Sequence, residues 1–193
     1  MLERMALKCK IVLKQKKIKE SIEQTLRGIK NYVLLGQGDF VHEFIELSEA
    51  IFEKPTEKIS KNNVERLIEE AIKTSSQASF YEEIRDSLSF VFLRSEASVS
   101  KGWKAFSFTF KSELPVNFIF NASTMHDYES IGNLLFCLRH CEHSFVSFWK
   151  KSMRANSSLL LKTRLALQRF LNSLETYLFT QVEEQWNNLL DTF

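Results

Sequence analysis

The residues with the strongest chemical potential form one cluster, Cys137-Leu138-Arg139-His140-Cys141-Glu142-His143. On a helix Cys137, His140 and Cys141 share a face, so the run offers at best three metal ligands. Structural zinc wants four, usually drawn from two chain segments. His42 and His126 stand alone in the sequence and complete no second pair. Two small core cysteines and two half-exposed histidines are the reading favoured by the apolar surroundings, and no metal is expected. Nucleophilic catalysis needs a Ser or Cys on a strained turn with a His base and an orienting carboxylate. No Gly-x-Ser-x-Gly occurs, and the acids and histidines are scattered, so no catalytic residue is assigned and no enzyme is expected. Gly36-Gln37-Gly38-Asp39 has the look of a phosphate loop but lacks the Lys-Ser/Thr that completes one, and it joins helix to helix. The alternating Phe106, Phe108 and Phe110 could stack bases on a sheet. Few cations lie near them (Arg94, Lys101, Lys104, Lys111), and period-two Phe is more often the core face of a sheet.

The elements that must carry these residues read mostly as helices. From Glu3 to Leu34 the apolar residues Ile11, Ile18, Ile22, Leu26, Ile29 and Val33 keep helical spacing. Lys8, Lys10, Lys14, Lys16, Lys17 and Lys19 form the opposite, solvated face. Gly36 or Gly38 is expected to take the left-handed conformation that ends this helix, and Asp39 to cap the next. That helix carries Phe40, Phe44, Leu47 and Ile51 and stops before Pro55. A third begins near Asn62, where Asn62-Asn63-Val64-Glu65 resembles a capping box, and buries Val64, Leu67, Ile68, Ala71 and Ile72. Leu88–Arg94 and Phe106–Phe110 are predicted strands joined by a polar loop around Ser95 to Gly102. Leu114–Phe120 is a possible third strand, placed at an edge or turn by Pro115. Two long helices follow. The first, Ser123–Met153, has a seam through Tyr128, Ile131, Leu135, Leu138, Phe145 and Trp149. After a polar break at Arg154–Ser158, the second has a seam through Leu160, Leu167, Leu171, Leu174, Leu178 and Val182 to Leu189.

Composition agrees. Only 5 Gly and 2 Pro among 193 residues favour long uninterrupted helices. A net charge of +2 with interspersed signs gives no general pull towards nucleic acid. The three cysteines, Cys9, Cys137 and Cys141, follow a reducing-compartment pattern. No window approaches the ~20 apolar residues of a membrane span, and a cytosolic or nuclear setting is expected, with neither membrane nor nucleic acid as partner. The fold class is mainly α: an elongated helical bundle with a small inserted antiparallel β-hairpin or three-stranded sheet. Residues 1–87 are helices, 88–120 the β insert and 121–193 the two long helices.

Several segments, taken in order, resemble the C-terminal module of the gamma-tubulin complex component family, also called spindle pole body components. They are Tyr32-Val33-Leu34-Leu35-Gly36-Gln37-Gly38-Asp39-Phe40, Gly102 to Phe110, Leu114 to Phe120, Tyr128 with Leu134, Leu135, Leu138, Arg139, Glu142 and Trp149, and Phe170 to Trp186. Their order and spacing span Tyr32 to Phe193. The resemblance implies a partial helical module that binds γ-tubulin alongside other complex components at a microtubule-organising centre or spindle pole. It implies neither catalysis nor a cofactor in this chain. The family-motif residues it marks as candidate contacts are Gly36, Gln37, Gly38, Asp39, Phe40, Trp103, Arg139, Glu142, Trp149, Gln181 and Trp186. Capping gives Gly36 to Phe40 a structural role as well, and the three tryptophans are expected in the core. The Gly-Gln-Gly-Asp-Phe wording is nearest the family's third paralogue. Family members are generally several times longer, with an N-terminal module for lateral contacts. A fragment, a divergent short member or a truncated product is therefore expected, with apolar surface exposed where further helices would pack. The competing expectation is a helical adaptor that no longer binds γ-tubulin, and behind it a nucleic-acid-binding helical protein.

Overall fold

The three-four spacing of the first segment does produce a helix, α1 (Leu2–Gly28), which continues as a π-helical turn over Ile29–Val33. The computed structural model describes residues 2–76, 78–93, 101–112, 116–152 and 158–190. The side chains of Lys8, Cys9, Lys10, Ile11 and Lys14 lie outside those described. So do Arg94, the expected loop from Ser95 to residue 100, Leu114, Pro115, and Met153 to residue 157. Burial along α1 begins at Ile22 and is complete at Leu26, Ile29 and Val33, whereas Ile18 faces solvent. Of the basic face, Lys16, Lys17 and Lys19 are described and are solvated as expected, with Lys16 and Lys19 paired loosely to Glu20 and Glu23 one turn on.

The corner after α1 differs from its sequence reading in a telling way. The left-handed residue is Leu35, with φ 57°, and no described glycine has positive φ. The cause is the widened turn. Leu34 N–H reaches Ile29 C=O at 2.9 Å, Gly36 N–H reaches Lys30 C=O at 3.0 Å and Gln37 N–H reaches Asn31 C=O at 2.9 Å. These long-reaching bonds satisfy carbonyls that a helix end leaves open, and they place the reversal one residue before Gly36. A left-handed non-glycine costs about 1–2 kcal/mol. Full burial of the Leu35 side chain, about 2 kcal/mol of apolar transfer, offsets it.

Helix α2 (Gly38–Phe52) follows, then α3 (Lys61–Thr74) and the short α4 (Ala78–Ile84). Phe40 and Phe44 are buried as read, and Val41, Ile45, Ser48 and Phe52 widen the buried stripe. All five apolar residues predicted for α3 are buried, but its N-cap is Ser60, whose carbonyl receives Asn63 and Val64 N–H. The Asn62 capping box does not form, because Asn62 and Asn63 already lie inside the helix.

Strands β1 (Leu88–Phe92) and β2 (Phe106–Phe110) pair antiparallel with Phe90 opposite Phe108, and a helical turn, α5 (Gly102–Ala105), leads into β2. Among the described residues the sheet has two strands. In place of a third, Val116–Phe118 is a 3-10 turn. Val116 and Phe120, four apart, are both buried while Phe118 and Ile119 face solvent, a turn-like rather than a strand-like pattern. Asn121 then caps α6 (Ala122–Ser152) by accepting Thr124 N–H at 3.0 Å. Helix α7 (Ser158–Leu190) completes the described chain.

Phenylalanine organises the centre. Phe44 of α2 lies 5.3 Å from Phe106, 5.2 Å from Phe108 and 6.0 Å from Phe136 of α6, and Phe52 lies 5.0 Å from Phe106. Stacked and tilted contacts of this kind add about 0.5–1.5 kcal/mol per pair beyond area burial. The residues between the strand phenylalanines are not left to water. Ser107 Oγ donates to the Glu129 carbonyl at 2.8 Å, Thr109 Oγ1 to the Glu129 carboxylate, and Asn133 Nδ2 to the Phe106 carbonyl at 2.7 Å. Helix α6 therefore lies against β2 through satisfied polar contacts, which buried hydroxyls require. Gly132 permits this approach: a Cβ there would strike the Val33 carbonyl.

Candidate functional site

The corner Gly36–Phe40 lies where α2, α6 and α7 converge. Asp39 serves a different purpose from the expected cap of its own helix. Its carboxylate accepts Phe40 N–H at 2.8 Å and, from the α3–α4 connection, Ser76 N–H at 2.8 Å; Gln37 Nε2 donates to it at 2.6 Å. Burial acts upward on this carboxyl, but the donors on Ser76, Phe40 and Gln37 outweigh it and bring its pKa to about 2. The corner is thereby fastened to a segment 37 residues further on. Phe40 turns inward and is fully buried, which removes it from any contact surface, whereas Gly36, Gly38 and Asp39 remain exposed.

Gly38 closes one end of a groove of ≈ 600 Å³ between α2 and α6, in which Arg139 and Glu142 also take part. A second hollow of ≈ 420 Å³ joins Gly36, Gly38 and Arg139 to Glu183 and Glu184 of α7. Four of the sequence candidates, Gly36, Gly38, Arg139 and Glu142, thus converge. Arg139 is the clamp among them. It pairs with Glu175 of α7, approaches Glu142 at 3.5 Å, and lies 4.7 Å over the Phe179 ring. Burial pushes the Glu175 carboxyl up; the Arg139 charge pulls it down, and the like charge of Glu142 adds to the rise. Lys30 of the π turn pairs with Glu183 at 2.7 Å and ties α7 to the same corner.

The other candidates lie elsewhere. Trp103 is buried, stacked 3.8 Å from the His140 ring, and Trp186 is buried at the far end of α7. Trp149 is half-buried between Phe145 and Arg164. Gln181 lines a separate shallow depression and donates to Glu184 at 3.1 Å.

His42, Glu46 and His143 also line the groove, although the sequence did not mark them as contact candidates. Glu46 Oε1 lies 3.6 Å from His42 Nε2 and 3.8 Å from His143 Nε2. The signal for the first pair was present in the i, i+4 spacing of His42 and Glu46, but only tertiary packing brings His143 to them. Among the described residues no group of three or more His, Cys, Asp or Glu is arranged to hold a metal ion. The Cys137 to His143 cluster is engaged otherwise. Cys137 Sγ donates to the Trp103 carbonyl, His140 pairs with Ser144, and burial pushes the Cys137 thiol up and the His140 imidazolium down. Phe106, Phe108 and Phe110 are buried and present no face to a base.

Among the described residues the geometry defines a mainly helical module packed round a two-stranded sheet, with a groove of mixed apolar and charged lining beside a fastened corner. Residues 23–193 match the family described as Gamma tubulin complex component C-terminal, and the chain belongs to that family. It is 29% identical over 145 residues to Gamma-tubulin complex component 3 of Arabidopsis thaliana, covering 73% of this chain and 17% of that protein. Spindle pole body component 98 of Dictyostelium discoideum is 28% identical over 193 residues, covering 93% of this chain and 23% of that protein. Gamma-tubulin complex component 2 of Mus musculus is 25% identical over 198 residues, covering 86% and 22%. The chain spans less than a quarter of the length of these relatives.

Proposed function

We propose that this chain is a γ-tubulin-binding scaffold segment of a microtubule-nucleating complex, working beside other gamma-tubulin complex components at a spindle pole or other microtubule-organising centre of the cytoplasm. The observation that carries this reading is membership of the family across residues 23–193. The groove between α2 and α6 is the contact surface favoured by the geometry, since Phe44 of α2 packs on Phe136 of α6 and Glu46 lies 3.8 Å from His143, which hold its walls together before any partner arrives. Preorganisation of this kind lowers the entropic cost of association.

The test is capture of purified γ-tubulin by the folded, monodisperse chain. Binding is expected, and Glu46→Lys, at an exposed groove position, is expected to weaken it about tenfold without lowering the melting temperature. Absence of capture by a folded chain overturns direct engagement and favours the adaptor reading.

A further inference from the structure

The groove between α2 and α6 carries a pattern on each wall. On α2 it is lined by Gly38, Val41, His42, Ile45, Glu46 and Glu49. On α6 the same spacing recurs, from Arg139 through Glu142, His143 and Val146 to Lys150. Each wall therefore presents residues three and four apart for three turns, about 16 Å at helical rise. Val41 and Ile45 are buried, whereas Val146 is 38% exposed and offers its methyl groups to a guest. Charge separates the two walls. Helix α2 has Asp39, Glu43, Glu46 and Glu49 but no Lys or Arg from Gly38 to Phe52. Glu46 and Glu49 are exposed, and the ion partners of Glu46 among the described residues are the imidazoles of His42 and His143. With histidine counted as neutral, the lining sets Glu46, Glu49 and Glu142 against Arg139 and Lys150. Arg139 is already held by Glu175 and Glu142, so the charge left open to a guest is negative and lies on the α2 wall.

We infer that the groove seats a basic amphipathic helix of the partner protein, its apolar row against Val146 and its Lys or Arg side chains against Glu46 and Glu49. Rows at three-four spacing on two adjoining helices receive the ridge of a third, and carboxylates without a fixed cation select a guest that supplies one. The inference deepens the reading of this groove as the contact surface and rests on it. A second copy of this chain is the poorer guest. The basic helix it offers is α1, where Glu20 and Glu23 follow Lys16 and Lys19 by one turn and pair with them. Those carboxylates would meet the acidic wall together with the lysines.

The probe is a synthetic amphipathic helix of about 15 residues, long enough to span both walls, with a Leu row flanked by Arg. Its binding to the whole chain is read by fluorescence anisotropy. Binding is expected, weakening about tenfold in Glu46→Lys/Glu49→Lys and tightening about threefold in Lys150→Glu. Circular dichroism confirms that each exposed-site variant remains helical. Four results overturn the inference: no binding of the peptide by the folded chain, equal binding of the same peptide with Glu in place of Arg, unchanged affinity in Glu46→Lys/Glu49→Lys, or a concentration-dependent dimer that Glu46→Lys and Lys16→Glu each abolish. Capture of γ-tubulin is measured on the same variants. Peptide binding without capture counts against γ-tubulin and leaves the preference of the groove standing; capture without peptide binding does the reverse.

Discussion

At the scale of single residues, the corner from Leu35 to Asp39 makes sharp predictions because its two glycines are not equivalent. A Cβ on Gly36 would lie 2.8 Å from the Lys30 carbonyl oxygen, while one on Gly38 would meet nothing within 4 Å. Gly36→Ala is expected to destabilise the fold by about 1–3 kcal/mol through overpacking against backbone. Gly38→Ala, in the first turn of α2, is expected to be neutral or stabilising by up to about 1 kcal/mol. Urea unfolding of the two variants checks the contrast. Asp39 supplies a pH signature. Its folded pKa, about 2, lies below the ordinary carboxyl value. The stability it contributes is therefore complete above about pH 4 and is lost as pH falls through about 2. Chemical denaturation of the parent chain and of Asp39→Asn across that window should give stability curves whose difference shrinks as the pH falls; a constant difference would show that the carboxylate charge is idle.

Among the elements, the contact that sets the others is the approach of α6 to β2 and the π turn. Ser107, Thr109 and Asn133 supply its hydrogen bonds, and Gly132 supplies the room. Gly132→Ala removes that room against a carbonyl that the π turn holds in place. It is expected to destabilise by about 1–3 kcal/mol despite alanine's better helix propensity, measured as a lower thermal midpoint with helix content retained below it. The same contact explains why Ser107 is not wet. Alternation of Phe with Ser and Thr ordinarily marks a sheet with one wet face, yet here Ser107 is fully buried and bonded to α6.

For the molecule as a whole, α1, α2, α3, α6 and α7, the two strands, the buried face of α3, and Phe40 and Phe44 of α2 followed from apolar periodicity, because each face that must leave water announces itself by its spacing, whereas the short α4 and α5 and the 3-10 turn at Val116–Phe118 did not. The ordered motifs from Tyr32 onward were legible as a family resemblance, which periodicity alone does not supply. The site was legible only in part. Gly36, Gly38, Arg139 and Glu142 do converge, but Phe40, Trp103 and Trp186 are interior, and Gln181 lines a different hollow. His42, Glu46 and His143 meet across helices nearly a hundred residues apart in sequence, a distance over which local pattern carries no information. The chain's own order of residues determined which segments became helix or strand, since propensity and periodicity act within a few turns. Only the tertiary structure decided that Leu35 rather than a glycine reverses the chain and that Asp39 fastens a distant turn. Each of these depends on which backbone groups and side chains arrive from elsewhere to satisfy, crowd or bury the residue concerned.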